Sequence, residues 1–568
     1  MKYTLLFFIL LLSCGRAKHE PVQETSQAAS TEQVAALVKE ATKLVQEQGE
    51  KAFAELRKPE SRWRQGDTYV FVLDPAGNML VHPDPELEGK NKMDLKDING
   101  KPIIEGLIAA ATTLPNKPDG WYHYEWPVPG GILPRWKSTY VHKAIDPAGK
   151  TYIVGCGVYN DRMEKEFITD MVKDAVGLIE KNDTNAFRMF RDPANRFMAK
   201  DAYIYVLDTN GLDLVNPGFP SLEGRNLMDM KDTRGKMLVR EMFQKVKTDG
   251  NGWVDYMWPK PGESVSTQKS SYVSRANTKN GWVLVGCGAY LADAPHAAAD
   301  TAVLTATELM TLVRDAAKVF EQKGEKAYPE FRVKGSKWFR DNTYFFVWTL
   351  EGKRVFHAAD PSSEGKDVRD LRDVLSKPIG TMMTEAANGP QGEGWVHYMW
   401  PEPGDIFPTW KSSFLKKVSF PSGKTYLIGC GIYNMEMDKA FIEDVVNRAA
   451  VVVTAKGKEA FGELRDKKGP YVFMDVYVFV DDPNGVELVN PAQPSIEGKN
   501  VMDMKDAKGV LLAKEYIDAA MNKGNAWVQY YWYKPGSNEP TLKHSFVKKV
   551  THGEETYILG AGFYEHGE

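Results

Sequence analysis

The chain has 568 residues, with a hydrophobic fraction of 43% and a charged fraction of 26%. That is the balance of a soluble globular protein, and the length suggests about three or four domains. With 72 Lys and Arg against 76 Asp and Glu, no basic surface for nucleic acid is expected. Four cysteines in so long a chain exclude a disulfide scaffold.

The first element is an address. Lys2 precedes an unbroken apolar run, residues 5–12, that ends Leu11-Leu12-Ser13-Cys14. The run is too short to span a bilayer and suits a signal-peptide core. It resembles the bacterial lipoprotein signal, which implies diacylglycerol on the Cys14 thiol and export of everything after it. Gly15 in place of Asp leaves the periplasmic face of the outer membrane as the expected site in a cell with two membranes. Residues 15–30 are polar and read as a tether.

The rest is one unit written four times. Gly155-Cys156-Gly157-Val158-Tyr159 recurs around Cys287, Cys430 and Ala561, at spacings of 131, 143 and 131. Trp121, Trp253, Trp395 and Trp527 form a second marker, and Glu88-Gly89-Lys90 with its three counterparts a third. A period of 274 relates Cys156 to Cys430 and Trp253 to Trp527, so a two-domain unit was duplicated. The boundaries read 1–14 leader, 15–30 tether, then domains at 31–161, 162–298, 299–435 and 436–568.

Within a unit a long helix comes first. In domain 1 it follows Ser30, with Gln33 three residues on, as in a capping box. Val34, Leu37, Val38, Ala41, Leu44 and Val45 give it one apolar face. Strands follow over 68–73 and 79–82, then a loop with the Glu-Gly-Lys triplet and a short helix over 103–111. Three more strands cover 121–126, 137–145 and 152–158. A helix followed by hairpin-joined strands predicts an α+β fold with an antiparallel sheet.

The ordered string Tyr-x-Phe, Leu-Val-His-Pro, Leu-Glu-Gly-Lys-Asn-x-Met-Asp-x-Lys-Asp, Gly-Trp-x-x-Tyr-x-Trp-Pro, Lys-Ser-x-Tyr-Val and Gly-x-Gly-Val-Tyr resembles the single-Cache, type 2, domain. These are PAS-like extracytoplasmic sensor modules of bacterial chemoreceptors and kinases. The resemblance covers all four units. It implies four tandem domains, each with a long N-terminal helix, a five-stranded antiparallel sheet and a small-ligand pocket, often for short carboxylates.

The candidate ligand-binding residues are aromatic and polar groups on neighbouring strands, as a small-metabolite pocket needs. In domain 1 they are Tyr69, Phe71, His82, Tyr124, Trp126, Lys137 and Tyr140. In domain 2 they are Tyr203, Asn216, Tyr256, Trp258, Lys269 and Tyr272. Domain 3 offers Tyr344, His357, Tyr398, Trp400 and Lys411, and domain 4 Tyr477, Asn490, Tyr530, Trp532 and Lys543. The recurrent Lys is the anion anchor, because a dehydrated carboxylate needs a cation. Strand alternation puts Tyr124 with Trp126 and sets Trp121 opposite them. Lys137 and Tyr140 conflict in the same way unless a bulge re-aims one. Tyr140 and Tyr272 add phenols where Phe414 and Phe546 cannot, so domains 1 and 2 are expected to bind differently from 3 and 4.

No metal site or cofactor is expected: Asp94 and Asp97 are interleaved with lysines and lack calcium-loop spacing. Cys156, Cys287 and Cys430 read as one small core position, since the fourth copy is Ala561. No catalytic motif recurs across the units, so an enzyme is not expected. The resulting expectation is an exported, lipid-anchored binder of small ligands. With no signalling segment after Glu568, it would act through a membrane receptor, kinase or transporter partner. The alternatives are a scaffold of degenerate domains or a solute receptor serving a transporter.

Overall fold

The computed structural model describes residues 29–127, 134–159, 162–261, 266–291, 304–340, 342–389, 391–403, 408–435, 437–535 and 540–565. The leader, Cys14 and most of the tether lie outside the described residues.

The same α+β unit, a helix-covered antiparallel sheet, appears four times. The long helices are Thr31–Gln48, Lys165–Asn182, Ala306–Lys323 and Lys439–Lys456. Ser30 and Gln33 form the capping box at the first, and Thr305 and Glu308 repeat it at the third. In domain 1 the five main strands are Thr68–Leu73, Met79–Val81, Asp119–Pro127, Pro134–Ile145 and Thr151–Tyr159. Their order across the sheet is second, first, fifth, fourth, third, all antiparallel, and the other three domains repeat it.

Each sheet buries both faces. In domain 1, Val34, Val38, Ala41 and Val45 of the long helix pack on Val70, Val72, Trp121, Tyr140, Val154 and Cys156. The other face carries Tyr69, Phe71, Met79, Tyr122, Tyr124 and Ile153, covered by Ile103, Ile104 and Leu107 of the short helix Ile103–Thr112. The three described cysteines are fully buried on the long-helix face, and burial pushes each thiol up to about 12. They are core residues, and Ala561 occupies the same position in the fourth core.

Domains 1 and 2 share packing, as do 3 and 4. Phe167 of the second long helix meets Trp121 and His123 of domain 1, and Phe441 of the fourth meets Trp395 and His397 of domain 3. Buried lysines bridge each joint: Lys101 Nζ donates to Met198 O, and Lys377 Nζ donates to Gly469 O and Val472 O.

Candidate functional site

The site forms on the sheet face away from the long helix. Its centre is the lysine of the fourth strand: Lys137, Lys269, Lys411 and Lys543 are each at most 1% exposed. The ladder sets each between two tyrosines. Lys137 lies opposite Tyr124 on the third strand and Tyr159 on the fifth, and the registers Tyr256–Lys269–Tyr290, Tyr398–Lys411–Tyr433 and Tyr530–Lys543–Tyr564 match. The fourth strand of domain 1 starts at Pro134, so Lys137 stands inside a regular ladder and Tyr140 faces the other way.

The Gly-x-Gly motif makes room for this lysine. A Cβ on Gly157 would meet Lys137 Cε at 2.8 Å and Thr139 Oγ1 at 2.4 Å. A Cβ on Gly155 would meet the Phe71 ring at 2.3 Å. The other three pairs of glycines show the same contacts, so the motif keeps the pocket face bare while its middle residue fills the opposite core.

Each ammonium lies over a tyrosine ring of the first strand. The distances to the ring centres are 4.0 Å for Lys137 on Tyr69, 4.2 Å for Lys269 on Tyr203, 3.9 Å for Lys411 on Tyr344 and 4.0 Å for Lys543 on Tyr477. Such desolvated cation–π contacts contribute about 2 kcal/mol or more. Lys137 also donates to Tyr69 Oη at 2.8 Å, Lys269 to Tyr203 Oη at 3.0 Å, and Lys411 to Tyr433 Oη at 3.1 Å. Among the described residues, none of the four makes an ion pair with a carboxylate. Burial lowers the Lys137 ammonium and takes Lys269 down to about 8.

The remaining candidates divide by face. Tyr69, Phe71, Tyr124 and Trp126 share the pocket side of domain 1 with Lys137. Tyr203, Tyr256 and Trp258 share it in domain 2. Tyr344, His357, Tyr398, Trp400 and Lys411 line one cavity of about 20 Å³ in domain 3. Tyr477, Asn490, Tyr530, Trp532 and Lys543 line a similar cavity of about 20 Å³ in domain 4. Space of that order holds about one water. In domain 1 a cavity of about 220 Å³ lies beside Tyr69 and His82 and is lined also by Arg57, Arg64 and Glu88.

Tyr140 and Tyr272 are corrections. Tyr140 packs on Trp121 in the long-helix core and donates to Asp119, and Tyr272 packs on Trp253 and donates to Asn251 Oδ1 at 2.7 Å. Being three residues from the lysine on a regular strand puts them on its opposite face. The proposed split of domains 1 and 2 from 3 and 4 therefore loses its basis.

A different split replaces it. His82 and His357 accept a backbone N–H at Nδ1, from Asp84 at 3.0 Å and Asp360 at 2.8 Å, so Nε2 carries the hydrogen. Burial, aided by Lys137, holds His82 neutral at about 4; burial, then Arg354 and Lys411, takes His357 to about 3. Asn216 and Asn490 stand in the same place, but each donates to a buried acid: Asn216 Nδ2 to Asp213 Oδ2 at 2.7 Å, and Asn490 Nδ2 to Glu487 Oε1 at 2.8 Å. The residue three before His or Asn is thus Met79, Asp213, Arg354 or Glu487, all buried. This position was missed from sequence, although a charge recurring in an apolar strand was a visible signal. Domain 2 also buries Phe219 against Tyr203 and Trp258, which puts a side chain beside its lysine pocket.

The Glu-Gly-basic loop is structural. Glu88 takes Arg57 Nε at 2.6 Å, and Gly89 adopts φ 76°, where a side chain is strained. Asp97 accepts N–H groups from Asn99, Lys101 and Glu125, which ties the loop to the third strand. Its oxygens are used within the fold, and no group of three or more metal-ligating side chains occurs among the described residues.

Comparison with known proteins agrees with this geometry. The Cache domain model matches residues 193–438 and 467–566, and the Single Cache domain 2 model matches residues 23–174. The chain belongs to the Cache domain family. Cache domains are extracytoplasmic, non-catalytic binding modules for small ligands in chemoreceptors and kinases, and the fold here is theirs. Among curated relatives, methyl-accepting chemotaxis protein McpP of Pseudomonas putida is 30% identical over 102 residues, 18% of this chain and 18% of that protein. Sensor histidine kinase MctS of Rhizobium johnstonii is 35% identical over 94 residues, 16% of this chain and 20% of that one. The matches span about a fifth of each relative's length. Among solved structures, one described as the basis of carboxylic acid recognition by a Cache chemosensory domain is 28% identical, covering 22% of this chain and 84% of that one, with a TM-score of 0.19. A methyl-accepting chemotaxis protein from Vibrio parahaemolyticus is 26% identical, covering 22% of this Cache chain and 87% of its own, with a TM-score of 0.19. No helix among the described residues is long and apolar enough to cross a membrane.

Proposed function

We propose that the chain is an exported, lipid-anchored sensory protein whose Cache domains bind short carboxylates or similar metabolites. The observation that carries the reading is the buried lysine, held under a tyrosine ring in all four domains with no carboxylate partner. A buried ammonium without a counter-ion is costly, and an anionic ligand relieves that cost. The chemoreceptor and kinase relatives support the same class of function. Cys14 supplies the anchor, and the signal passes to a separate membrane receptor, kinase or transporter. The units run 31–161, 162–298, 299–435 and 436–568. In domain 2, Phe219 beside the lysine pocket favours a scaffolding role for that unit.

Calorimetric titration of the full chain with acetate tests the site. Saturable binding that weakens when Lys411 is changed to Ala is the expected result; no heat from acetate or from a panel of short carboxylates contradicts it.

A further inference from the structure

The second strand of every domain carries a bulge. The partners of the first strand slip between Val72 and Leu73, Val347 and Trp348, and Val480 and Asp481, and between Asp213 and Val215 on the second strand of domain 2. Plain alternation sends Glu487 to the same face as Val489, which packs in the long-helix core. The bulge turns Glu487 and Arg354 onto the other face, where each lines its lysine's cavity. The position re-aimed at the ligand side differs in charge among the domains: Met79, Asp213, Arg354 and Glu487.

In domain 3 the polar groups at the cavity are donors. Arg354 is 8% exposed, makes no ion pair among the described residues, and leaves Nε buried without a partner. Trp348 Nε1, in the same lining, is also unpartnered. Lys411 is the third donor. Among the described residues of domain 4 the unpartnered buried side-chain atoms are acceptors, Asp475 Oδ1, Asp481 Oδ1 and Gln493 Oε1, and they lie outside the cavity lining. Glu487, 3% exposed, lines the cavity beside Lys543. Its cross-strand neighbour Asp481 accepts Tyr516 Oη–H at 2.9 Å. Burial holds both acids above the usual carboxylate range. Domain 3 thus presents two cations and no facing acid. Domain 4 presents a cation facing an acid.

We propose that the bulged residue selects ligand charge: Arg354 makes domain 3 a site for a compact anion, and Glu487 makes domain 4 a site for a compact zwitterion carrying a protonated amine. The inference rests on the lysine pockets being ligand sites. In domain 3, Arg354 and Lys411 hold one carboxylate from two sides. In domain 4, Lys543 takes the carboxylate and Glu487 the ammonium. Asn490 keeps Glu487 aimed, as His357, which has no hydrogen to give at Nδ1, would not.

The test uses the full chain with Lys137→Met and Lys269→Met, so that domains 3 and 4 alone report, and two probes, acetate and glycine. Calorimetry is expected to show acetate binding that Arg354→Met weakens at least tenfold without affecting glycine. Glycine binding is expected to fall at least tenfold in Glu487→Gln and to persist in Glu487→Asp, with acetate unchanged in both. Melting curves of each variant verify folding. Glycine affinity unchanged by Glu487→Gln, while Lys543→Ala abolishes it, overturns charge selection and leaves the lysine sites standing. No binding of either probe, with Lys411 and Lys543 variants inert, overturns both.

Discussion

Domains 3 and 4 share a backbone, a core and a lysine, and differ in what faces that lysine. Both hold the ammonium about 4 Å over a tyrosine ring of the first strand. Both bring a tyrosine of the third strand to a serine of the fourth, Tyr398 to Ser413 and Tyr530 to Ser545, at 3.0 Å. At the bulged position, however, an Arg beside a neutral His and across from Trp348 has become a Glu beside an Asn and across from Asp481. The difference shows how duplication diversifies a sensor. The costly part, a buried cation with room around it, is kept, and a single re-aimed side chain changes what the pocket accepts.

The comparison can be broken at its shared element first. Lys411→Ala or Lys543→Ala should each remove about 1.5–3 kcal/mol of ligand binding in its own domain, the range for charged hydrogen bonds. Titration that shows equal loss in both domains from one substitution would deny that the pockets are separate. The glycines come next. Gly431→Ala would put a Cβ 2.3 Å from Ser413 Oγ and 2.8 Å from Lys411 Cε. Overpacking there should cost roughly 1–3 kcal/mol of stability and displace the lysine, visible as a lower melting temperature together with weaker acetate binding.

The selector sharpens the comparison, because its two effects oppose each other. Arg354→Met, which copies Met79, removes a buried unpaired cation. The ligand-free fold should gain about 1 kcal/mol while acetate affinity falls. Denaturant melts with and without acetate separate the two.

A last effect is on pH dependence, and its sign differs between the domains. Burial raises Asp481 to about 7, above its unfolded value near 4. Between those values the folded state binds more protons, so the contribution of domain 4 falls as pH rises, then levels above 7. His357 is lowered to about 3, from an unfolded value near 6.5. There the unfolded state binds more protons, so the contribution of domain 3 rises with pH across that window. Each proton contributes a slope of up to about 1.4 kcal/mol per pH unit. Comparing melts from pH 4.5 to 6.5, Asp481→Asn should reduce the falling part and His357→Asn the rising part.

Much of this was legible in the sequence. The fold followed from fourfold recurrence of helix, strand and turn markers, and the lysine from its constant place after the third strand. The opposition of Trp121 to Tyr124 and Trp126 followed from alternation alone. Tyr140 was misplaced because the fourth strand was started at Lys137, which left that lysine's direction open; the ladder from Pro134 fixes it. The Gly-x-Gly motif was visible as a marker, but its purpose is cross-strand space, which needs the register. The selector was hidden for the opposite reason. Period-two alternation assigns Arg354 and Glu487 to the wrong face, so the recurring charge was visible in the sequence while its direction needed the bulge.

The most direct test of charge selection exchanges the selector itself. In the full chain with Lys137→Met and Lys269→Met, the pair Arg354→Glu and His357→Asn gives domain 3 the selector of domain 4 and the Asn that aims it. Calorimetry should then show acetate binding at domain 3 lost and the glycine stoichiometry doubled. Acetate binding retained at unchanged affinity, with glycine stoichiometry unaltered, would contradict it.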